Sequence, residues 1–152
     1  MSVTRSTGLA GVAMIGLAVL LQGCAPQARP ASGTRLFATD FAGGAKSCNV
    51  PKVSPTAGKE TPATMTVGND GGWCGITVDN NGHPYSAGLL ASRPSHGQVY
   101  IHSVGDATRI DYTPNKGYTG TDNFTVRLLP GDAAVRATVT VEKAPPAAAK
   151  SG

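Results

Sequence analysis

The chain is predicted to fold as an all-β protein, a single antiparallel β-sandwich. Three observations predict it. Short runs between residues 63 and 142 alternate apolar and polar side chains with a period of two. The breaks between them carry turn chemistry, in a chain with 20 Gly and 11 Pro among its 152 residues. No stretch of the domain repeats its apolar positions at helical spacing.

The strand candidates run in order. Ala63–Val67 and Gly75–Val78 flank the turn residues Asn69-Asp70-Gly71-Gly72. Asn80-Asn81-Gly82 is a strong turn signal. Gly88–Ala91, Gln98–Val104, Thr108–Thr113, Asn123–Leu129 and Val135–Glu142 follow. In the fourth candidate Val99 and Ile101 share one face and Tyr100 and His102 the other. Ile110 and Tyr112 oppose Arg109 and Asp111. Phe124, Val126 and Leu128 oppose Thr125 and Arg127, and the last run sets four apolar residues from Val135 to Val141 against Arg136, Thr138 and Thr140. One apolar and one polar face per strand is the pattern of antiparallel sheets packed face to face. About seven short strands suit a sandwich.

The amino terminus carries a different signal. Arg5 precedes the apolar stretch Leu9–Leu21. As a helix that stretch would span about 20 Å, short of the ~30 Å hydrocarbon core. A positive charge, a short apolar run and small residues after it fit a secretory signal peptide over 1–23. The run ends Leu21-Gln22-Gly23-Cys24. This resembles the lipobox of bacterial lipoproteins, with Gln22 less usual at its place than Ala, Ser or Val. The resemblance implies lipidation of Cys24, cleavage before it and a membrane anchor, since each buried methylene of an acyl chain contributes about 0.8 kcal/mol. Ala25 rather than Asp follows, which under the sorting rule of such lipoproteins points to the outer membrane. Residues 24–34 are then the lipidated cysteine and a flexible Pro/Ala/Ser tether, 35–143 the domain, and 144–152 a disordered tail.

Three cysteines are present and lipidation uses one. In an oxidising envelope compartment Cys48 and Cys74 most simply form a disulfide. Trp73-Cys74-Gly75 is similar to the start of a thioredoxin-type WCGxC motif, but Thr77 stands where the second cysteine would be.

The carboxy-terminal half sharpens the fold. Pro94-Ser95-His96-Gly97-Gln98-Val99 is followed by Tyr112-Thr113-Pro114, then by Gly117-Tyr118-Thr119-Gly120-Thr121-Asp122-Asn123-Phe124, and last by Thr138-Val139-Thr140-Val141. Over residues 93–142 this resembles the bacterial Ig-like, cadherin-like repeat of large adhesins. Asn69-Asp70 is similar to an Asn-Asp near the start of such repeats. The resemblance implies an Ig-like sandwich with Tyr112 and Phe124 in the inter-sheet core, and a binding or structural module rather than a catalyst. Gly97 and Gly120 are expected in turn geometries and Asp122 as a local loop cap. Cys48, Cys74 and the Gly-Gly-Trp-Cys-Gly segment lie outside the repeat pattern.

The residues offer little chemistry. Net charge is +4, Arg5 leaves with the leader, and no Lys/Arg run exists to track phosphates, so no nucleic-acid partner is expected. His96 and His102 would stand about 20 Å apart on an extended strand, too far to share a metal. No carboxylates match a calcium loop, no serine sits in a nucleophile motif, and neither Glu60 nor Glu142 has a paired carboxylate nearby. No cofactor and no catalysis are expected. Two placements are open for Trp73: packed against a Cys48–Cys74 disulfide, or exposed in its Gly-rich loop as a binding anchor. Tyr100, His102, Arg109 and Arg127 project from the polar sides of their strands as a candidate outward face.

The expected function is therefore a lipid-anchored Ig-like module of the cell envelope that binds a protein or glycan. Two alternatives stand beside it: a small lipoprotein inhibitor of lysozyme or a protease, and a structural or antigenic surface lipoprotein without a dedicated ligand.

Overall fold

The computed structural model describes residues 37–144. The leader, Cys24, the tether and residues 145–152 of the tail lie outside the described residues. After a single 3₁₀ turn at Ala38–Phe41, every element is a strand: β1 (Cys48–Asn49), β2 (Glu60–Asn69), β3 (Cys74–Val78), β4 (Ala87–Ser92), β5 (Gly97–Val104), β6 (Ala107–Pro114), β7 (Gly120–Leu129) and β8 (Ala133–Lys143). They form a five-stranded sheet in the order β1-β2-β8-β7-β4 and a three-stranded sheet in the order β3-β6-β5.

The alternation read from the sequence sets which side chains meet between the sheets. Met65 and Val67 of β2, Phe124, Val126 and Leu128 of β7, and Val135, Val139 and Val141 of β8 are buried from one side. Ile76 of β3 and Ile110 and Tyr112 of β6 meet them from the other. Tyr112 and Phe124 stack with ring centroids 5.9 Å apart, joining the two sheets.

All seven expected strands run longer than expected, β2 the most, and one strand was not expected. β2 runs through Pro62 to Asn69, and β7 begins at Gly120. β1 has two residues, too few to show any period, and pairs Cys48 with Val67. The pairing of β2 with β8 is parallel, from Glu60 opposite Ala134 to Asn69 opposite Lys143. This departs from a purely antiparallel sandwich. Strands so far apart in the chain need no hairpin, so neither direction is favoured by the connection.

Cys48 and Cys74 form a disulfide. It ties β1 of the larger sheet to β3 of the smaller one across 26 residues. Constraining a loop of that size in the unfolded chain stabilises the fold by about 3 kcal/mol. The Cys48→Ala/Cys74→Ala double variant is expected to unfold at correspondingly lower denaturant. An unchanged midpoint in a urea titration would refute this.

Gly97 and Asp122 sit differently from their expected turn roles. Gly97 is the first residue of β5, and a Cβ there would lie 2.4 Å from the Tyr112 ring. Its requirement is close approach rather than an unusual backbone angle. Gly120, at φ 134°, does occupy a conformation that side chains resist. Asp122 lies inside β7 and is 3% exposed. Its carboxylate accepts N–H bonds from Ser95 and His96 at 2.9 and 2.8 Å, from Asn123 at 2.9 Å, and the Tyr112 hydroxyl at 2.9 Å. Burial alone would raise its pKa, but these donors outweigh burial and hold it below the usual carboxylate range. Asp122 thus pins the β4–β5 connection to the core. Close by, the His96 and Tyr118 rings stack at 4.1 Å. Asn69 donates to the carbonyls of Asn115 and Tyr118, fastening the end of β2 to the β6–β7 loop.

Candidate functional site

The outer face of the three-stranded sheet carries a polar and aromatic cluster. Register places Tyr100 of β5, Asp111 of β6 and Gly75 of β3 in one row, and His102, Arg109 and Thr77 in the next. Trp73 immediately precedes β3 on the same side.

The charged pair on β6 was expected to face solvent. It is buried instead: Arg109 is 8% exposed and Asp111 5%. The reason is a covering segment. Residues 38–45 run over this face and are held there by their own backbone. Trp73 N–H donates to the Gly43 carbonyl at 3.1 Å, and Ala45 N–H to the Trp73 carbonyl at 2.8 Å. The Trp73 indole Nε1–H donates to the Ala42 carbonyl at 2.9 Å. Arg109 Nη1 donates to the Asp40 carbonyl. The Asp70 carboxylate holds the next residues, accepting from Lys46 N–H and Gly72 N–H at 3.0 Å each. Those two donors lower the Asp70 pKa.

Beneath that segment the charges are matched. Arg109 Nε donates to both Asp111 oxygens, at 2.8 and 3.1 Å. His102 Nε2 lies 2.9 Å from Asp111 Oδ2. The Arg109 guanidinium carbon stands 3.9 Å from the centre of the Trp73 ring, a cation–π contact. The Tyr100 ring lies 4.7 Å from the His102 ring and is itself 66% exposed. No Cβ fits at Gly75, where it would come within 2.5 Å of Asp111 Oδ1. The missing side chain is what lets the carboxylate lie flat on β3.

Trp73 lies beside the Cys48–Cys74 disulfide in sequence and lines the same groove as Cys48. It is half-buried, away from the inter-sheet core, clasped between the covering segment and Arg109. Trp73, Tyr100 and His102 lie on one sheet face together with Arg109. Arg127 does not join them. It stands on β7 in the other sheet, where it reaches Asp132 at 3.3 Å. The polar side of a strand can face either exterior of a sandwich, and period alone does not say which.

A groove of about 370 Å³ opens beside the clasp, lined by Phe41, Trp73, Thr77, Val104 and Arg109 among others. Phe41, on the rim, is 60% exposed. The face offers aromatic surfaces, a paired cation and a hydrogen-bonding imidazole. These groups suit recognition. Among the described residues no three His, Cys, Asp or Glu side chains gather to hold a metal ion. Asp111 and Phe41 carried no signal of their own in the sequence. The Arg-x-Asp spacing on an alternating strand marks a shared face, but a salt bridge there is as ordinary as a site.

Residues 49–142 match the family model of the bacterial Ig domain. No curated protein matches the chain.

Proposed function

The chain belongs to the bacterial Ig domain family, and from that premise we propose that it is a lipid-anchored module of the cell envelope. It binds a protein or glycan partner through the outer face of the three-stranded sheet and performs no catalysis. The anchor is Cys24, and the membrane is the outer one. The observation that carries the reading is the cluster of one Trp, one Tyr and one Arg on a single face beside an apolar groove. These three residue types dominate binding hot spots, because each combines large apolar area with a directed polar or charged group. The lipobox and the oxidised cysteine pair favour an envelope setting.

The experiment is crosslinking in living cells, followed by mass spectrometry of the membrane-extracted protein. The wild-type chain is expected to capture one dominant partner. Trp73→Ala and Tyr100→Ala are expected to lose it, the second without disturbing the fold because Tyr100 is exposed. Cys24→Ser is expected to leave the membrane fraction. Capture of peptidoglycan fragments alone, or the same partner with both face variants, would return the protein to a structural envelope role.

A further inference from the structure

Among the described residues the sandwich has four edge strands, and three of them are protected against pairing with another chain. β1 is only two residues long. β4 breaks register between Leu90 and Ser92. β3 is clasped at its start by residues 43–45. Short, irregular or covered edges are how β proteins avoid unwanted pairing. Among the described residues β5 has none of these features. It is eight residues long, keeps an unbroken register with β6, and contains no Pro, Lys, Arg, Asp or Glu.

Its free groups follow from the turn. β5 and β6 are joined by a two-residue hairpin, Gly105-Asp106, with Val104 opposite Ala107. That closing pair is hydrogen-bonded, and bonded and non-bonded pairs alternate from it. His102, Tyr100 and Gln98 therefore bond to β6. Gly97, Val99, Ile101 and Ser103 turn their N–H and C=O groups outward. Pro114, which has no N–H, stands opposite Gly97, as this alternation requires. Space lies beside these groups. A groove of about 350 Å³ runs along the first half of the edge, lined by Leu90, Arg93, Pro94, Gly97, Gln98 and Val99. Val99 and Ile101 are only half-buried, although they point inward.

We propose that β5 pairs antiparallel with β5 of a second copy of this chain, about a two-fold axis at Tyr100. The register is dictated. Val99 must face the second copy's Ile101, and Gly97 its Ser103, for every outward group to find a partner. Apolar Val99 then meets apolar Ile101 on the inner side, and Gln98 meets His102 on the outer side. The two Tyr100 rings meet at the axis. The edge brings no like charges together, since the two Arg93 side chains lie at opposite ends of the paired strands. A two-fold dimer, in which the same self-complementary patch serves both copies, is the commonest assembly of identical chains, and an edge strand paired with itself is one such patch. The result is a continuous six-stranded sheet that places two copies of the Trp73–Arg109 face side by side. The pairing does not depend on what that face binds.

The test reads the register directly, in the full-length chain in its own membrane. Residues at the axis form a non-hydrogen-bonded pair with Cα atoms about 4.5 Å apart, within the ~4.4–6.8 Å range of disulfides. Tyr100→Cys is expected to give a disulfide-linked dimer on a non-reducing gel. Gln98→Cys alone is not, because its own copy lies about 13 Å along the strand. Gln98→Cys and His102→Cys chains expressed together are expected to link to each other. Linkage of Tyr100→Cys and Gln98→Cys to equal extents would mean collision rather than pairing and would overturn the proposal. So would an absence of any linked dimer, or linkage of Tyr100→Cys to a different protein.

Discussion

Asp122→Ala is expected to destabilise the domain by about 3–5 kcal/mol, one of the two largest effects of a single polar substitution. The carboxylate is buried and answers four donors: the N–H groups of Ser95, His96 and Asn123 and the Tyr112 hydroxyl. Removing it leaves these donors facing a void, and each buried unsatisfied group costs about 1–3 kcal/mol before relaxation. Solvent can reach some of them once the β4–β5 connection loosens, which keeps the total below the sum. The same residue sets an acid limit. Its folded pKa lies below the ordinary carboxylate value. Its contribution is therefore complete above the unfolded pKa of about 4 and is lost as pH falls through the lower folded value. Thermal midpoints measured from neutral to acidic pH are expected to fall more steeply for the wild type than for Asp122→Asn. Parallel curves for the two proteins would mean that another carboxylate governs acid unfolding.

Asp111→Ala is expected to cost about 3–5 kcal/mol through a different mechanism. It leaves the buried Arg109 guanidinium without its carboxylate, and an uncompensated buried charge is expensive. The compensating variant separates this from simple loss of packing. Asp111→Ala combined with Arg109→Met removes both charges and is expected to recover a large part of the loss. A double variant as unstable as the single one in urea titrations would show that the charge is not what matters. The damage should also spread to the covering segment, since Arg109 holds the Asp40 carbonyl and stacks on Trp73. Hydrogen exchange at the Ala45 amide, bonded to the Trp73 carbonyl, is expected to accelerate in Asp111→Ala. Protection there unchanged from wild type would show that the backbone bonds alone secure the segment.

Both expectations concern residues whose weight was hidden in the chain. Asp122 reads locally as a loop residue after Gly120. Its partners Ser95 and His96 lie 27 and 26 positions away, and no short-range pattern announces them. Arg109 and Asp111 read as the solvent side of an alternating strand. The period was right, and both do point away from the inter-sheet core. What covers that side comes from residues 38–45, a single 3₁₀ turn and the loop after it, too short and irregular to give a periodic signal. Its contact with Arg109 spans 69 positions.

Other features were legible because their cause is local. Alternation assigned Ile110, Tyr112, Phe124, Val126, Leu128, Val135, Val139 and Val141 to the core, since side chains on a strand must point to opposite faces in turn. The motif around Gly117–Phe124 pointed to the Ig-like family, because its glycine, aspartate and aromatic positions answer to fixed backbone and core requirements. The count of cysteines pointed to the Cys48–Cys74 pair through the chemistry of the compartment rather than through geometry. Sequence by itself thus determined the class of fold, the inward faces of β5 to β8 and the cysteine pair. Only the tertiary structure decided that β2 runs parallel to β8, that Trp73 is clasped under residues 38–45, that Arg127 stands apart from Tyr100 and His102, and that β5 is the unguarded edge among the described residues. The physical reason is that a period of two encodes which way a side chain points. Which segment comes to lie over it depends on contacts between parts of the chain that share no local pattern.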